Sequence, residues 1–517
     1  MRLLTLIVTI GLWVNTTHGA VDPFAHAHAL PADMTAYVHV SDVAALRGTT
    51  ARELLQQGSR FGIVGDGVRT VWEGLAKRAD MDSASLFDAC FGQSFTMAVR
   101  DTDDAGRAWV VIGEGDAAQL KDILNRLEPQ FMAPSLGFAL MRLPETDLIV
   151  ARDGGRLVIA PVAQKQLLRD TMKRLHVNAQ GGLADDPVIR AFTIDTIGGT
   201  IGGWVRDDRP NPGSMAIVAQ PDGNTVRARV RGDYAVAPFQ RTATKRRWDA
   251  GLMSRFESDA LIVMMEPTDV TGGPATQYVE ETLGTPWPGM TNGEPHGESR
   301  MFIVADIEGR QAEEAVDLRL PTVTLVVPTT WDRAKATEAL DARFRDISAS
   351  VCEWVDADAK DLLIGLEGEG PRQFDLAAVV DPEFPLLDQV SINWDTVSSD
   401  DDAAEAYWVM SSHPQALKST CETLGNEAPI RPWLGRWSSV GSANGIRLSH
   451  HLRSYAEGAA LLAEDDDALA FRDVMTMCAD LAEVIDRGRW ALSRPTATGF
   501  EIRLELRLAP PRTVDSR

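Results

Sequence analysis

Runs that alternate apolar and polar residues, as half-buried strands do, are followed along this chain by runs whose apolar residues recur at intervals of three and four, as on one helix face. The stretch LPADMTAYVHVSDVAAL, residues 30–46, reads as a strand feeding a helix, and SRFESDALIVMMEPTDV, residues 254–270, repeats that pattern. LIVARDGGRLVIA (148–160) and AIVAQPDGNTVRARV (216–230) place Asp153-Gly154-Gly155 and Pro221-Asp222-Gly223 between apolar runs, which predicts tight hairpins. Ser442-Ala443-Asn444-Gly445 reads as a third. The sheets are therefore expected to be largely antiparallel.

Helices follow several of these strands. After AWVVIGEG, Asp116 stands in the capping place of a helix over 116–127 whose stripe is Leu120, Ile123, Leu124 and Leu127. After VTLVVPTT, Asp332 stands likewise before 332–344, with Ala336, Ala339, Leu340 and Phe344 in the stripe. Pro161 and Pro414 each open a helix, the first striped by Leu168, Thr171, Met172 and Leu175, the second by Leu417, Thr420, Cys421 and Leu424. GNTVRARVR (223–231) aligns without gaps to GFEIRLELR (499–507), and QRTATKRRWDAG (240–251) has the polar, aperiodic character of a linker. The expected fold is α+β: two related modules, 21–239 and 252–510, each a largely antiparallel sheet with helices packed on one face, and a disordered tail over 511–517. Superposition of the two should place 34–40 on 260–266, 116–127 on 332–344, and 223–231 on 499–507.

The first twenty residues stand apart. Arg2, an apolar run from Leu3 to Val14, and His18-Gly19-Ala20 have the layout of a secretory signal peptide, with Ala25-His26-Ala27 a second small-x-small site for cleavage. The apolar run is too short to span a bilayer, so no membrane insertion is expected after cleavage and the mature chain is expected outside the cytoplasm, periplasmic or extracellular. Taken together, the signal peptide, "LPADMTAYVHVSDVAAL", "RLVIAPVAQKQLLRDTM" and "GGLADDPVIRAF" resemble exported bacterial proteins of an uncharacterised family with duplicated α+β modules. LAEDDDALAFRDVM (462–475) is the nearest counterpart of the last segment in the second half. The resemblance implies export and this architecture; it brings no catalytic motif.

Charge narrows the partners. Lys and Arg number 51 against 74 Asp and Glu, a formal net charge of −23, which repels nucleic acid and anionic headgroups at long range. Four cysteines, Cys90, Cys352, Cys421 and Cys478, are too few for a disulfide scaffold, and their pairing is open among three arrangements. Cys421 and Cys478 fall on apolar stripes, the latter with Phe471, Val474, Met475, Ala482 and Ile485, and read as small core residues.

The chain lacks G-x-S-x-G, the phosphate-loop pattern, H-E-x-x-H and C-x-x-C. Gly62-Ile63-Val64-Gly65-Asp66-Gly67 reads as a plain connection. Asp101-Thr102-Asp103-Asp104-Ala105-Gly106 begins like a calcium loop but has Ile112 where a bidentate carboxylate belongs, so it reads as a hairpin tip. Asp400–Asp402 and Asp465–Asp467 read as complements to helix N-termini, with calcium left open. His26 and His28 read as an unstructured terminus or a shared metal site; His39, matched by Met265 in the second half, as structural; His450 and His451 as neighbours on a strand that face opposite sides. No catalytic, cofactor or metal residue is assigned, and no cofactor is expected. Two functions remain: a non-catalytic binding or envelope-associated module with an extracytoplasmic ligand or protein partner, or a hydrolase using paired carboxylates between the modules.

Overall fold

A computed structural model describes residues 22–43, 66–101, 107–179, 181–195, 199–207, 212–234, 253–266, 300–305, 321–329, eight residues within 334–349, and 363–364, 371–374, 391–398, 406–425, 437, 439–462, 466–493 and 498–509. The expected signal segment 1–20 and linker 240–251, Gly62–Gly65, Cys352, Asp400–Asp402 and the tail beyond 510 lie outside these. Every pairing given below is antiparallel. The chain divides into unit 1, Met1–Ala237 with Thr498–Arg517, and unit 2, Pro238–Ala497.

Unit 1 contains β1 (Ala36–Ser41), β2 (Ser94–Asp101), β3 (Arg107–Glu114), β4 (Gln130–Phe131), β5 (Ala139–Leu143), β6 (Leu148–Asp153), β7 (Arg156–Pro161), β8 (Ile201–Asp207), β9 (Gly213–Asp222) and β10 (Thr225–Tyr234). They pair in the order β4-β5-β6-β7-β3-β2-β1-β8-β9-β10. The two expected hairpins are the turns β6–β7 and β9–β10, with Gly154 and Gly223 at positive φ.

Helices cover both faces of this sheet, not one. On one side α4 (Lys165–His176) and α5 (Pro187–Ile194) pack on Ala108, Val110, Ile112, Val158 and Ala160. On the other, α1 (Asp66–Arg78), α2 (Ser83–Phe91) and α3 (Ala117–Arg126) pack on Val111, Leu157 and Ile159. The cause is in the strands: both alternating sets of β3 and β7 are apolar, so each face needs cover. α3 follows its expected stripe, with Asp116 accepting from the N–H groups of Ala118 and Gln119. Pro161 ends β7 and does not open the helix, which starts at Lys165 after a 3-10 turn over Val162–Gln164.

Unit 2 contains β11 (Ala260–Glu266), β12 (Arg300–Ala305), β13 (Thr322–Thr329), β14 (Leu363–Ile364), β15 (Arg372–Phe374), β16 (Ile392–Ser398), β17 (Ala406–Ser411), β18 (Ser439–Asn444) and β19 (Ile485–Ser493), in the order β14-β15-β16-β17-β13-β12-β11-β18-β19. α6 (Pro414–Leu424) buries Leu417, Thr420 and Leu424 against this sheet, with Cys421 partly buried beside them. Within the expected helix 332–344 the described residues Ala334, Thr337, Glu338, Asp341 and Ala342 are helical; its proposed stripe lies outside them.

Four expectations fail here. Asn444-Gly445 is no hairpin: Gly445 opens α7 (Gly445–Leu462), and the Asn444 side chain accepts from the Arg447 N–H at 3.0 Å. Gly445 is required, since a Cβ there would lie 2.0 Å from the Ile485 carbonyl oxygen. His450 and His451 accordingly ride on a helix. LAEDDDALAFRDVM spans the junction of α7 with α8 (Asp466–Glu483), after β18, whereas GGLADDPVIRAF precedes β8, so the two segments hold different places. On α8, Cys478 is half-buried and Phe471 is exposed, so that stripe is not a core face.

The last strand, β20 (Gly499–Leu508), belongs to unit 1, so the expected boundary of the second module at 510 does not match the compact units. It pairs with β10 from Thr225↔Arg507 to Asp233↔Gly499. Arg227 faces Glu505, and Arg231 reaches Glu501 at 3.0 Å. Opposite charges thus face each other across the ladder, exposed at Arg227–Glu505 and largely buried at Arg231–Glu501. Among the described residues no helix is long and apolar enough to cross a membrane.

Candidate functional site

Two polar places stand out, one in each unit. In unit 1 the segment from Asp22 to Leu30 is packed and largely buried, contrary to the unstructured terminus expected. Phe24, Ala27, Ala29 and Leu30 join the core under α4 and α5, and Ala27–Ala29 form a 3-10 turn. Gly202 on β8 permits the approach, because a Cβ there would lie 1.9 Å from the Pro23 carbonyl oxygen. Arg174 on α4 donates through Nε to the His28 carbonyl at 3.0 Å. Cleavage after Ala27 would remove Phe24 and His26 from this packing; cleavage after Ala20 leaves it whole.

The turn delivers His26 to β1 and β2. His26 Nδ1 and His39 Nδ1 each lie 2.7 Å from Thr96 Oγ1, with the rings edge to face at 5.3 Å. One hydroxyl can donate to one ring and accept from the other, so two neutral rings must take opposite tautomers. Burial pushes His39 down to about 3, helped by the neighbouring His26. His26 Nε2 lies 3.7 Å from Glu114 Oε1; Arg156 donates to the same oxygen at 3.1 Å, and Ser94 Oγ to the other at 3.1 Å. His26 nearby, with Arg156 donating to the same oxygen, holds Glu114 down at about 2. Hydroxyl, imidazole and carboxylate are the components of a nucleophile triad, but Thr96 is 1% exposed and shared between two rings. This cluster orders a core. His26 and His28 do not converge on a metal site, and no group of three metal-capable side chains occurs among the described residues.

In unit 2 a cleft of about 330 Å³ lies between α6 and strands β11, β12 and β13. Its polar wall is Thr322 and Thr324 from β13 with Gln415, Ser419, Thr420 and Thr423 from one face of α6. Phe256, Ala260, Ile303, Ala305 and Ala416 are the apolar part, and Arg255, Asp259 and Arg447 supply charge. Thr324 Oγ1 lies 2.8 Å from Ser411 Oγ, and Thr322 donates to the Ala305 carbonyl at 2.9 Å. Arg255 is held by the carbonyls of Thr423 and Leu424 at the end of α6, 3.4 and 3.3 Å away, while its buried Nε has no partner. Arg447 Nη1 donates to the Asp259 carbonyl at 3.2 Å. The cleft offers two guanidiniums, one exposed carboxylate and a row of hydroxyls, a set suited to holding a polar anion.

Two buried carboxylates among the described residues of unit 2 have arginine partners. Asp341 accepts from Arg372 at 3.1 Å and from Trp394 Nε1 at 3.1 Å; Glu257 accepts from Arg487 at 3.2 Å and Arg489 at 2.7 Å. Cys90, Cys421 and Cys478 form no disulfide, and burial pushes Cys90 up to about 12, which leaves it unreactive.

No family model matches the chain, and no curated protein does. Two solved structures, crystal forms IV and I of TP0453, are similar at 12% and 11% identity, each with a TM-score of 0.26. They cover 41% and 42% of this chain and 81% and 79% of their own.

Sequence reasoning named none of the cleft's charged residues. They come from two segments, 255–259 and 447, far apart along the chain, so no spacing marks them. Thr420 alone was singled out, as part of a core stripe.

Proposed function

We propose that the chain is an exported, non-catalytic binding or envelope-associated protein built from a duplicated α+β unit, with the unit 2 cleft as its ligand site. The observation that carries this reading is the cleft's composition: its described lining holds one carboxylate, Asp259, against two arginines and five hydroxyls. A hydrolase of the paired-carboxylate kind needs a second acid, with a raised pKa, within reach of the first. Glu114 is instead held low, and Asp341 and Glu257 are occupied by arginines.

Duplication is supported by strand order. The run β4-β5-β6-β7-β3-β2-β1-β8-β9 has the same order as β14-β15-β16-β17-β13-β12-β11-β18-β19, with α4 after β7 and α6 after β17. In register, Tyr37 and His39 correspond to Val263 and Met265, and Ile112 to Val326, all on the core side. On this reading β20, paired to β10, is the final strand of the second copy lodged beside that of the first, and α7–α8 is an insertion.

The test is turnover. Purified protein incubated with chromogenic ester, peptide and glycoside substrates from acid to neutral pH should release no product above buffer. Release that disappears in both Asp259→Asn and Asp341→Asn would establish the hydrolase instead.

A further inference from the structure

We propose that the unit 2 cleft binds a small hydroxylated carboxylate, the class to which uronic acids belong, and that it arose by moving the polar centre of the module from one side of its core to the other. The ligand class deepens the binding reading above and rests on it. The comparison of the units rests on their shared strand order.

Following the register through β1/β11, β2/β12 and β3/β13, Ala108 corresponds to Thr322 and Val110 to Thr324. From β3/β13 into β7/β17, Ala160 corresponds to Ser411. Unit 1 therefore has three fully buried apolar side chains where unit 2 has three hydroxyls. Size changes too. Met34 corresponds to Ala260, and by the shared helix stripe Leu167 corresponds to Ala416; both large residues are buried in unit 1, and both small ones line the cleft in unit 2. Space and hydrogen-bonding groups appear together at one place.

The opposite exchange occurs toward β8. His39, Thr96 and Gly202, where unit 1 seats its N-terminal segment and histidine pair, correspond to Met265, Met301 and Val440. A Cβ at Gly202 meets the Pro23 carbonyl, so Val440 blocks an equivalent segment from seating in unit 2. The unit 2 opening is thus not a vacated seat for that segment. It is a new space with its own lining.

The chemistry of that lining selects the ligand. Arg255 and Arg447 against Asp259 leave a net positive charge in a chain whose formal charge is −23. A guanidinium makes stronger, charge-assisted hydrogen bonds to a carboxylate oxygen than to a neutral acceptor. The hydroxyls and Gln415 can donate to and accept from ring hydroxyl groups, while Phe256 and Ile303 meet the apolar face of a sugar ring.

Isothermal titration of the full chain with D-glucuronate tests this, with glucose and inorganic phosphate as parallel arms. One saturable site is expected for glucuronate, with glucose at least tenfold weaker because it lacks the carboxylate, and phosphate at least tenfold weaker because it lacks the hydroxylated body. Arg255→Gln and Thr324→Val should each weaken glucuronate at least tenfold. Ala416→Leu, which restores the unit 1 residue and fills the space, should abolish binding while leaving the thermal transition at or above its original temperature; it keeps the test open should Arg255→Gln fail to fold. No saturation at millimolar glucuronate, or equal binding by Ala416→Leu, overturns the proposal, and tighter binding of phosphate overturns the ligand class. Glucuronate recovered chemically altered would overturn the non-catalytic reading instead, so the two failures are distinguishable.

Discussion

Acidification should loosen the first unit of the native protein more than that of a His39→Met variant. His39 is neutral and buried in the folded state, held at about 3, while the unfolded chain takes up its proton near the ordinary value of 6.5. A depressed histidine therefore contributes its full stability above 6.5 and loses it as pH falls toward 3, because the unfolded state binds the proton first. At ~1.4 kcal/mol per pH unit, the loss from about pH 6.5 to about pH 4.5 is roughly 2–3 kcal/mol. Glu114 adds to the acid loss in a lower window, from 4.5 down to about 2, reduced by its partial exposure. Methionine is the residue that the proposed duplication puts at this place in unit 2, where Met265 is fully buried. Hydrogen exchange at the β1 and β2 amides reads the unit's own opening free energy. The difference between variant and native protein should grow as pH falls through this window; an identical pH response would remove His39 from the account.

A chain ending at Ala497 should lose the order of unit 1 although its own first 237 residues are intact. Removing β20 strips nine register positions from β10 and exposes a long strand edge. Phe500 and Leu508 are 6% and 1% exposed, and burying two such side chains is worth roughly 3–6 kcal/mol. Arg227, Arg229 and Arg231 would also lose Glu505 and Glu501. The truncated protein should show rapid exchange along β10 and a tendency to aggregate, and a peptide of residues 498–517 added in trans should restore protection by pairing with β10. Exchange at β10 equal to that of the full chain would show that β20 is not structural there.

Local chemistry made much of this fold legible. The stripe of Leu120, Ile123 and Leu124 behind Asp116 and the Gly154 and Gly223 turns each express an energy confined to a few neighbouring residues. Asn444-Gly445 misled because an asparagine followed by glycine suits a hairpin turn and a helix start alike, and the deciding contact, the close approach of Ile485, is forty residues away. The likeness of 223–231 to 499–507 was visible, but not that the two segments pair with each other, since strand pairing at that separation leaves no local trace. Burial of His26 was missed for a similar reason: its partners Thr96 and Glu114 lie on strands that nothing near residue 26 announces. The cleft was illegible because its lining comes from distant segments, and the exchange of Val110 for Thr324 that the proposed duplication implies acquires meaning only in register.

That register is the central claim, and an experimental structure with unit 2 superposed on unit 1 tests it most directly. The result expected is β1–β9 matched by β11–β19 in the order given above and in the same directions, with Thr322 on Ala108, Thr324 on Val110, and an open cleft beneath α6. A different strand order, or a one-residue slip of β13 that turns Thr322 and Thr324 to the opposite face, would contradict both the duplication and the cleft derived from it.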